Sequence, residues 1–396
     1  MLSVFARSGK RTGLLNKPRR MNLERERFLA LLRAGLWNKP TDLPSSDKPI
    51  HWANIMSMAT RQTVVGLVAN AIAQLPEAEK PDQQRIAQLQ ALLVRNHQAH
   101  QRLNRQLVET VSLLRENSLR SILLKGQGIA QLYSNPFLRQ CGDIDLYIGP
   151  EDFEKARELI EQYYGKDPKN HESVKHYHAH YQGLSIELHR IAERLANPIY
   201  NNRFQAWTRH YLHEARPTCI QINGSQIEIP HPQFNVLYIF HHAWHHFISS
   251  GIGLRQLCDW SLSLHSYRDT IDQQQLHADL KAFGLIRPWQ LFAYIAVERL
   301  GLPKEECPLY TNRYAQQAEK ALDMIFYSGN FGHYDPTRQG RPTSYLGGKW
   351  FSLKWELGYW KRLAAVCPAE MAQKATSHLI IGSGQVIKDI FKRQAK

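Results

Sequence analysis

The chain has 396 residues, of which 43% are hydrophobic and 10% aromatic, so it can bury a sizeable core as two domains or one elaborated domain. This is the composition of an ordinary soluble globular protein, and no stretch approaches the roughly 18 apolar residues that a membrane-spanning helix needs. The five cysteines include no C-x-x-C pair, which argues against a zinc ribbon and a disulfide framework.

Positive charge is concentrated at the start of the chain. The formal net charge is +15, and residues 1–20 contain six basic and no acidic residues. This leader lacks the apolar core of a secretory signal, so the sequence predicts a cytoplasmic protein. We interpret 1–20 as an untranslated or disordered leader before Met21, with an organellar transit peptide as the alternative. The charge permits a nucleic-acid partner without requiring one.

Residues 21–118 are predicted to form an N-terminal helical region. Apolar residues recur on one helical stripe ahead of Pro40, at Phe28, Leu29, Leu32 and Leu36. The helical period continues from 51 to 118 with one interruption near 75–84.

Residues 119–230 are predicted to form a core in which short apolar runs, typical of strands, alternate with helical segments. The expected strands lie at 121–124, at 145–148, on both sides of Gly183 and around a tight turn at Asn223-Gly224. The expected helices lie at 128–133 and 152–164. Because hairpins add antiparallel pairs to a strand–helix–strand pattern, the sheet is expected to be mixed.

Residues 231–396 are predicted to form a mainly helical C-terminal domain, with breaks near Gly251, Pro303 and the Gly- and Pro-rich segment 329–348. The aromatic and basic segment 349–362 is expected to pack in the core rather than to stack on RNA. The predicted fold class is therefore α+β, with a small mixed-sheet core between an N-terminal helical region and a C-terminal helical domain.

Two aspartates lie on one face of a predicted core strand. Asp143 stands at the start of that strand, and because strand side chains alternate, Asp145 points to the same side while Ile144 points away. Burying carboxylates among apolar neighbours is costly without a compensating cation. Carboxylate oxygens suit Mg²⁺ that bridges to substrate phosphates. The sequence therefore predicts an Mg²⁺ or Mn²⁺ site at these two residues.

A third acid, Glu187, alternates with apolar residues in the run 184–189. If this strand pairs beside the first, Glu187 reaches the same metal and can take a proton from an attacking hydroxyl. The alternative interpretation is a surface glutamate on an edge strand.

A turn at Lys125-Gly126-Gln127 ends one strand and opens a helix, whose free N–H groups are expected to receive phosphate oxygens. Gly126 allows close approach of the backbone, and Lys125 adds a positive charge for the phosphates. Arg139, four residues before Asp143, is expected to add another. The turn is neither a P-loop nor a dinucleotide-binding turn.

The run LLKGQGIAQLYSNPFLRQCGDIDLYIG at 123–149, followed by IELHR, resembles the nucleotidyltransferase superfamily that includes polymerase β. It is most similar to an uncharacterised bacterial nucleotidyltransferase family with a Lys-Gly turn, an Arg before a D-I-D-L strand, and a later E-L-H strand. The resemblance implies metal-dependent transfer of a nucleoside monophosphate from an NTP such as ATP to a hydroxyl, with release of pyrophosphate. It also implies that Asp143, Asp145 and Glu187 are the metal carboxylates and that Gly126 is the turn glycine.

The histidines of 241–246, HHAWHH, form two i,i+4 pairs, a spacing found in some zinc sites, but the glutamate of H-E-x-x-H is missing. We expect His242 and His245 either to pack or to contact the acceptor or a phosphate. Arg255 is expected to pair with Asp259, with contact to the triphosphate as the alternative.

The sequence thus predicts a nucleotidyltransferase whose acceptor is a small molecule, an RNA or a protein, and it leaves the oligomeric state open. Two alternatives remain. The commoner Gly-Ser or Gly-Gly turn is replaced by Lys125-Gly126-Gln127, which favours an inactive nucleotide- or RNA-binding pseudoenzyme. The Lys-Gly form is also similar to that of abortive-infection toxins, which favours a nucleotidylating toxin that acts on tRNA or protein.

Overall fold

The computed structural model describes residues 17–166, 175–216, 218–338 and 340–371. Residues 1–16 of the basic leader lie outside this part, and the first helix begins at Lys17, four residues before Met21. The N-terminal helices are α1 (Lys17–Trp37), α2 (Trp52–Arg61), α3 (Val65–Ala73) and α4 (Gln83–Glu116). Asp82 caps α4 by accepting from the N–H of Arg85, so the long helix starts where the sequence pattern breaks.

The middle of the chain contains six strands and three α-helices within the described residues. In chain order they are β1 (Ile122–Leu123), α5 (Gln127–Ala130), β2 (Asp143–Tyr147), α6 (Phe153–Tyr164), β3 (His176–Tyr181), β4 (Leu184–His189), α7 (Pro198–Arg209), β5 (Thr218–Ile222) and β6 (Ser225–Ile229). The strand pattern of the sequence is confirmed.

The C-terminal part is helical, as expected. Its helices are α8 (Pro232–Ser249), α9 (Leu254–Tyr267), α10 (Gln273–Ala282), α11 (Ile286–Tyr294), α12 (Ala315–Ser328) and α13 (Tyr345–Ala364). Short π-helical segments extend α7 and α11, at His210–Glu214 and Ile295–Arg299. Among the described residues, no helix combines the length and the apolar character needed to cross a bilayer.

The main sheet has the strand order β1-β2-β4-β3, in which β2 and β4 are parallel and the two outer pairs are antiparallel. The prediction of an α+β fold with a small mixed sheet is therefore confirmed. Strands β5 and β6 form a separate hairpin. Its turn places Asn223 and Gly224 at φ 49° and 78°, the left-handed values that a two-residue hairpin turn requires.

Two hydrophobic cores hold these elements together. One lies on one face of the sheet, where Ile144 and Ile186 pack with α4 residues such as Leu107 and with α6. The other joins α1, α3 and the C-terminal helices, and it includes Ile122 and Tyr147 from the sheet. Because the long helix α4 contributes to both cores, they do not divide at residue 118, and the domain boundaries at 118 and 230 stay a prediction.

Two details differ from the expected helices. The helix predicted through Tyr133 ends at Ala130, because the next N–H groups bond three residues back, as when Tyr133 donates to the Ala130 carbonyl. In α13 the expectation of packed aromatics holds for Tyr359, which is buried, but Trp350 is 69% exposed.

Close contact between α1 and α3 depends on glycine. A Cβ on Gly35 would overlap the backbone carbonyl of Leu67. We expect Gly35→Ala to lower the free energy of unfolding by about 2 kcal/mol, since overpacking must push the helices apart. Urea unfolding measures this change. The control is Gly358→Ala in α13, where a Cβ meets open space, and the better helix propensity should stabilise by roughly 0.5 kcal/mol. Equal effects of the two substitutions would contradict the close packing.

Candidate active site

The parallel pairing of β2 and β4 brings the three predicted acids to one face of the sheet. Asp145 lies directly opposite Glu187, and Asp143 lies opposite Ser185. The intervening apolar residues point into the core on the other face. The register of the strands therefore gives the sheet one apolar face, which packs in the core, and one face that carries carboxylates.

Asp145 is the buried centre of this face. It is fully buried, and its Oδ1 accepts from Lys125 Nζ at 2.9 Å and from His189 Nε2 at 3.0 Å. Its second oxygen, Oδ2, is also buried and has no hydrogen-bond partner among the described residues. Burial alone would raise the pKa of Asp145, but Lys125 and then His189 hold it below the usual carboxyl value. The group is therefore a carboxylate with one oxygen still to be satisfied.

The other two acids respond oppositely to their surroundings. The negative charge of Asp145, followed by burial, raises the pKa of Asp143. Burial would also raise the pKa of Glu187, but hydrogen bonds from His178 and His189 lower it below its usual range. His178 Nδ1 lies 3.2 Å from Glu187 Oε1, and His189 Nε2 lies 3.5 Å from Oε2. Two mutually repelling aspartates thus lie beside an ionised glutamate, and this concentrates negative charge on one face of the sheet.

Lys125 is held by a chain of polar groups. Burial would lower its pKa, but Asp145 raises it above the usual lysine value, so the group stays charged. Lys125 Nζ lies 3.3 Å from His242 Nε2, and His242 Nδ1 lies 3.5 Å from Glu193 Oε2. Burial and then Lys125 lower the pKa of His242 well below its usual value, so the ring is neutral. Its Nε2 therefore accepts from Lys125, and its proton lies on the side of Glu193.

The Lys125–Gln127 turn has the conformation that a glycine provides. Gly126 has φ +58°, and a Cβ there would lie 3.3 Å from the carbonyl oxygen of Asp143. The following helix α5 has only four residues, and the N–H of Gly128 already bonds to the Lys125 carbonyl. The Gln127 side chain is buried, and neither of its amide atoms has a hydrogen-bond partner among the described residues.

The side chain of Arg139 forms a buried ion pair with Asp259. Its guanidinium binds Asp259 of α9 through two bonds, Nε to Oδ1 at 2.8 Å and Nη2 to Oδ2 at 2.9 Å, and Tyr133 also donates to this aspartate. The expected pair of Arg255 with Asp259 is therefore wrong, because the bidentate contact with Arg139 takes both carboxylate oxygens. Arg255 instead donates to the carbonyl of Gln140. Its buried Nε has no partner among the described residues.

A cleft of about 460 Å³ opens over the two aspartates, and Glu187 is not among the residues that line it. Several predicted residues line it, namely Lys125, Gly126, Arg139, Asp143, Asp145, His242 and Arg255. Other lining residues come from distant segments and were not predicted, namely Thr63, Ser185, Gln256, Asn330 and Phe331. Phe331 has φ +51°, a backbone conformation that is costly for an aromatic residue. Asn330, which precedes Phe331, accepts a 3.0 Å hydrogen bond from the side chain of Gln256. No sequence pattern points to this loop.

The histidines of α8 do not form a metal cluster. Among the described residues, two groups of side chains could hold an ion. The first is His176, His178 and Glu187, and the second is Asp145, Glu187 and His189. Neither includes a residue of 241–246. His245 is half-buried, with its ring centroid 5.8 Å from that of His246, and it is not among the residues that line the cleft. The histidines of β3 and β4 were not singled out as possible ligands from the sequence, although H-x-H alternation on a strand puts such side chains on one face.

A small mixed sheet with carboxylates gathered on one face fits the fold class expected for nucleotidyltransferases. The chain belongs to a family described as uncharacterised nucleotidyltransferase, which residues 48–301 match. No curated protein matches the chain. Among solved structures, it is similar to an antigenic nucleotidyltransferase-like protein from Paracoccidioides brasiliensis, with a TM-score of 0.32 and 12% identity over 53% of this chain and 94% of that chain. The family membership rests on the sequence match.

The two aspartates should differ in their effect on stability when no metal is present. Asp145→Asn removes the charge opposite Lys125 and should lower the free energy of unfolding by about 3 kcal/mol. Asp143→Asn removes repulsion with Asp145 and should raise it by roughly 0.5–1 kcal/mol. Urea unfolding in EDTA measures both changes. Equal destabilisation by the two variants would show that Asp143 is not repelled by its neighbour.

Proposed function

We propose that this protein transfers a nucleoside monophosphate from an NTP to a hydroxyl-bearing acceptor in a metal-dependent reaction. The observation that carries the proposal is the buried, unpartnered Oδ2 of Asp145, a residue that lines the cleft, with Asp143 on the same strand face and Glu187 directly opposite in the sheet. A carboxylate oxygen that no protein group satisfies is suited to a cation.

The residues fit a hard divalent ion. All three acids offer oxygen ligands, and the raised pKa of Asp143 reflects negative charge that a cation would relieve. Asp143, Asp145 and Glu187 would hold Mg²⁺ or Mn²⁺, which would supply Lewis-acid stabilisation of charge on the phosphates.

Positive groups around the acids fit the phosphates of the donor. Lys125 is charged and is oriented by His242, and Arg255 carries an unpartnered, buried N–H in the same cleft. We assign these two side chains to the triphosphate, together with the backbone of Gly126, which also lines the cleft. Arg139 is the weaker choice because Asp259 already binds its guanidinium.

We assign the base of the donor to three further residues that line the cleft. Phe331 offers an aromatic face, and Asn330 and Gln256 offer amide groups that can read base edges. Because these three residues come from the C-terminal helical part, donor binding would draw both parts of the chain around one nucleotide.

In the proposed reaction the acceptor oxygen forms a bond to the α-phosphorus, and the bond between this phosphorus and the β-phosphate oxygen breaks. Pyrophosphate leaves with the bonding pair, and the hydroxyl proton is released to water. The lowered pKa of Glu187 makes it a weak base. We therefore give Glu187 the role of a metal ligand rather than that of the proton acceptor.

The test is NTP-dependent labelling. Wild-type protein is incubated with each labelled NTP, Mg²⁺ or Mn²⁺ and a cell extract, and the fraction that takes up label identifies the acceptor as small molecule, RNA or protein. Asp143→Asn combined with Asp145→Asn should reduce labelling by at least about 100-fold, since even the loss of groups that only support metal ligands costs up to that much.

The matched control is Asp152→Asn, which makes the same chemical change just before α6, outside the residues that line the cleft. It should label like the wild type, and circular dichroism should show that all variants are folded. Transfer retained in the folded double variant would rule out this site.

A further inference from the structure

A second group of ligand side chains lies beside the three acids. Strands β3 and β4 pair antiparallel, with His178 opposite Glu187 and His176 opposite His189. Because these positions alternate along each strand, all four side chains lie on the face that carries the carboxylates. The residues between them, such as Tyr177 and Leu188, are buried in the core on the other face.

The distances within this group are short. One ligand atom each from His176, His178 and Glu187 lie within 4.8 Å of one another. His178 Nδ1 is 3.2 Å from Glu187 Oε1, and the ring centroids of His176 and His178 are 4.5 Å apart. All three side chains are half-buried, so an ion could enter from solvent.

The chemistry of this group differs from that of the aspartates. Two imidazoles and one carboxylate suit Zn²⁺ and related transition metals, whereas Mg²⁺ prefers oxygen ligands. Three protein ligands also leave a position for water, as in open zinc sites. Glu187 can serve both groups because its oxygens face different neighbours, Oε1 toward His178 and Oε2 toward His189.

His189 provides an independent observation. Its side chain is buried, and its Nε2 bonds to Asp145 while its Nδ1 has no hydrogen-bond partner among the described residues. Its ring centroid lies 5.5 Å from that of His176. A buried imidazole nitrogen without a hydrogen-bond partner calls for an explanation, and a ring whose opposite nitrogen bonds to a carboxylate is the pattern of histidines in metal sites.

We propose that His176, His178 and Glu187 bind one transition-metal ion of the Zn²⁺ class, distinct from the hard cation at the aspartates and sharing Glu187 with it. The proposal does not depend on nucleotide transfer. The ion would tie β3 to β4 and fix the Glu187 carboxylate.

Cobalt tests this site because Co²⁺ replaces Zn²⁺ and absorbs visible light. Purified full-length protein is titrated with Co²⁺ in excess Mg²⁺, and one ion per chain should bind with the visible bands of a site of low coordination number. His176→Ala and His178→Ala should each weaken Co²⁺ binding by at least about 10-fold to 100-fold. Zn²⁺ should displace the cobalt from the wild type.

The matched control is His180→Ala. His180 lies on β3 one step beyond the group, opposite Ser185, and is exposed, so its loss should leave Co²⁺ binding unchanged. Unchanged affinity in both His176→Ala and His178→Ala would overturn the proposal. If those variants do not fold, X-ray absorption of the cobalt-loaded wild type decides, since imidazole ligands support the site and oxygen ligands alone refute it.

The experiment also separates the two proposals. Asp143→Asn should keep the cobalt spectrum while it loses nucleotide transfer, because Asp143 belongs only to the acidic group. A wild type that binds cobalt but transfers no nucleotide would refute the proposed function and leave this metal site standing. Nucleotide transfer by a wild type that binds no cobalt would refute this metal site and leave the proposed function standing.

Discussion

The buried charge of Asp145 is the constraint on which the rest of the site depends. Removing a carboxylate from water costs several kcal/mol unless neighbours repay it. Lys125 and His189 offset this cost by their contacts with Oδ1 of Asp145. Lys125 is held in turn by His242, which faces Glu193, and Glu193 binds Lys175. Negative, positive and neutral groups thus follow one another from Asp145 to Lys175. Oδ2 of Asp145, a residue that lines the cleft, stays without a hydrogen-bond partner among the described residues.

The fold secures this arrangement from two directions. Parallel pairing of β2 with β4 sets Asp145 opposite Glu187 and leaves no freedom of register, because a slip by one residue would put the acids into the apolar core. The bidentate contact between Arg139 and Asp259 ties the loop before β2 to helix α9. Asp143 and Asp145 from the sheet line one cleft together with Asn330 and Phe331 from the C-terminal part.

Local patterns predicted much of this architecture. Alternation of polar and apolar residues predicted that Asp143 and Asp145 lie on one face of a strand. In the structure Ile144 and Leu146 of the same strand do point into the core on the other face. Contacts between distant segments could not be predicted in this way. Arg139 was expected at a phosphate, but only the fold reveals that Asp259, 120 residues later, takes its guanidinium. Phe331 reaches the cleft through tertiary packing, which leaves no periodic signal in the sequence.

We propose that these carboxylates support transfer of a nucleoside monophosphate rather than of a phosphate. The most direct measurement uses one NTP labelled either at the α- or at the γ-phosphate, with Mg²⁺ and the acceptor fraction. If a nucleoside monophosphate is transferred, the α-label should move to the acceptor and the γ-label should leave as pyrophosphate. Transfer of the γ-label to the acceptor, with the α-label left on a free nucleoside diphosphate, would contradict it.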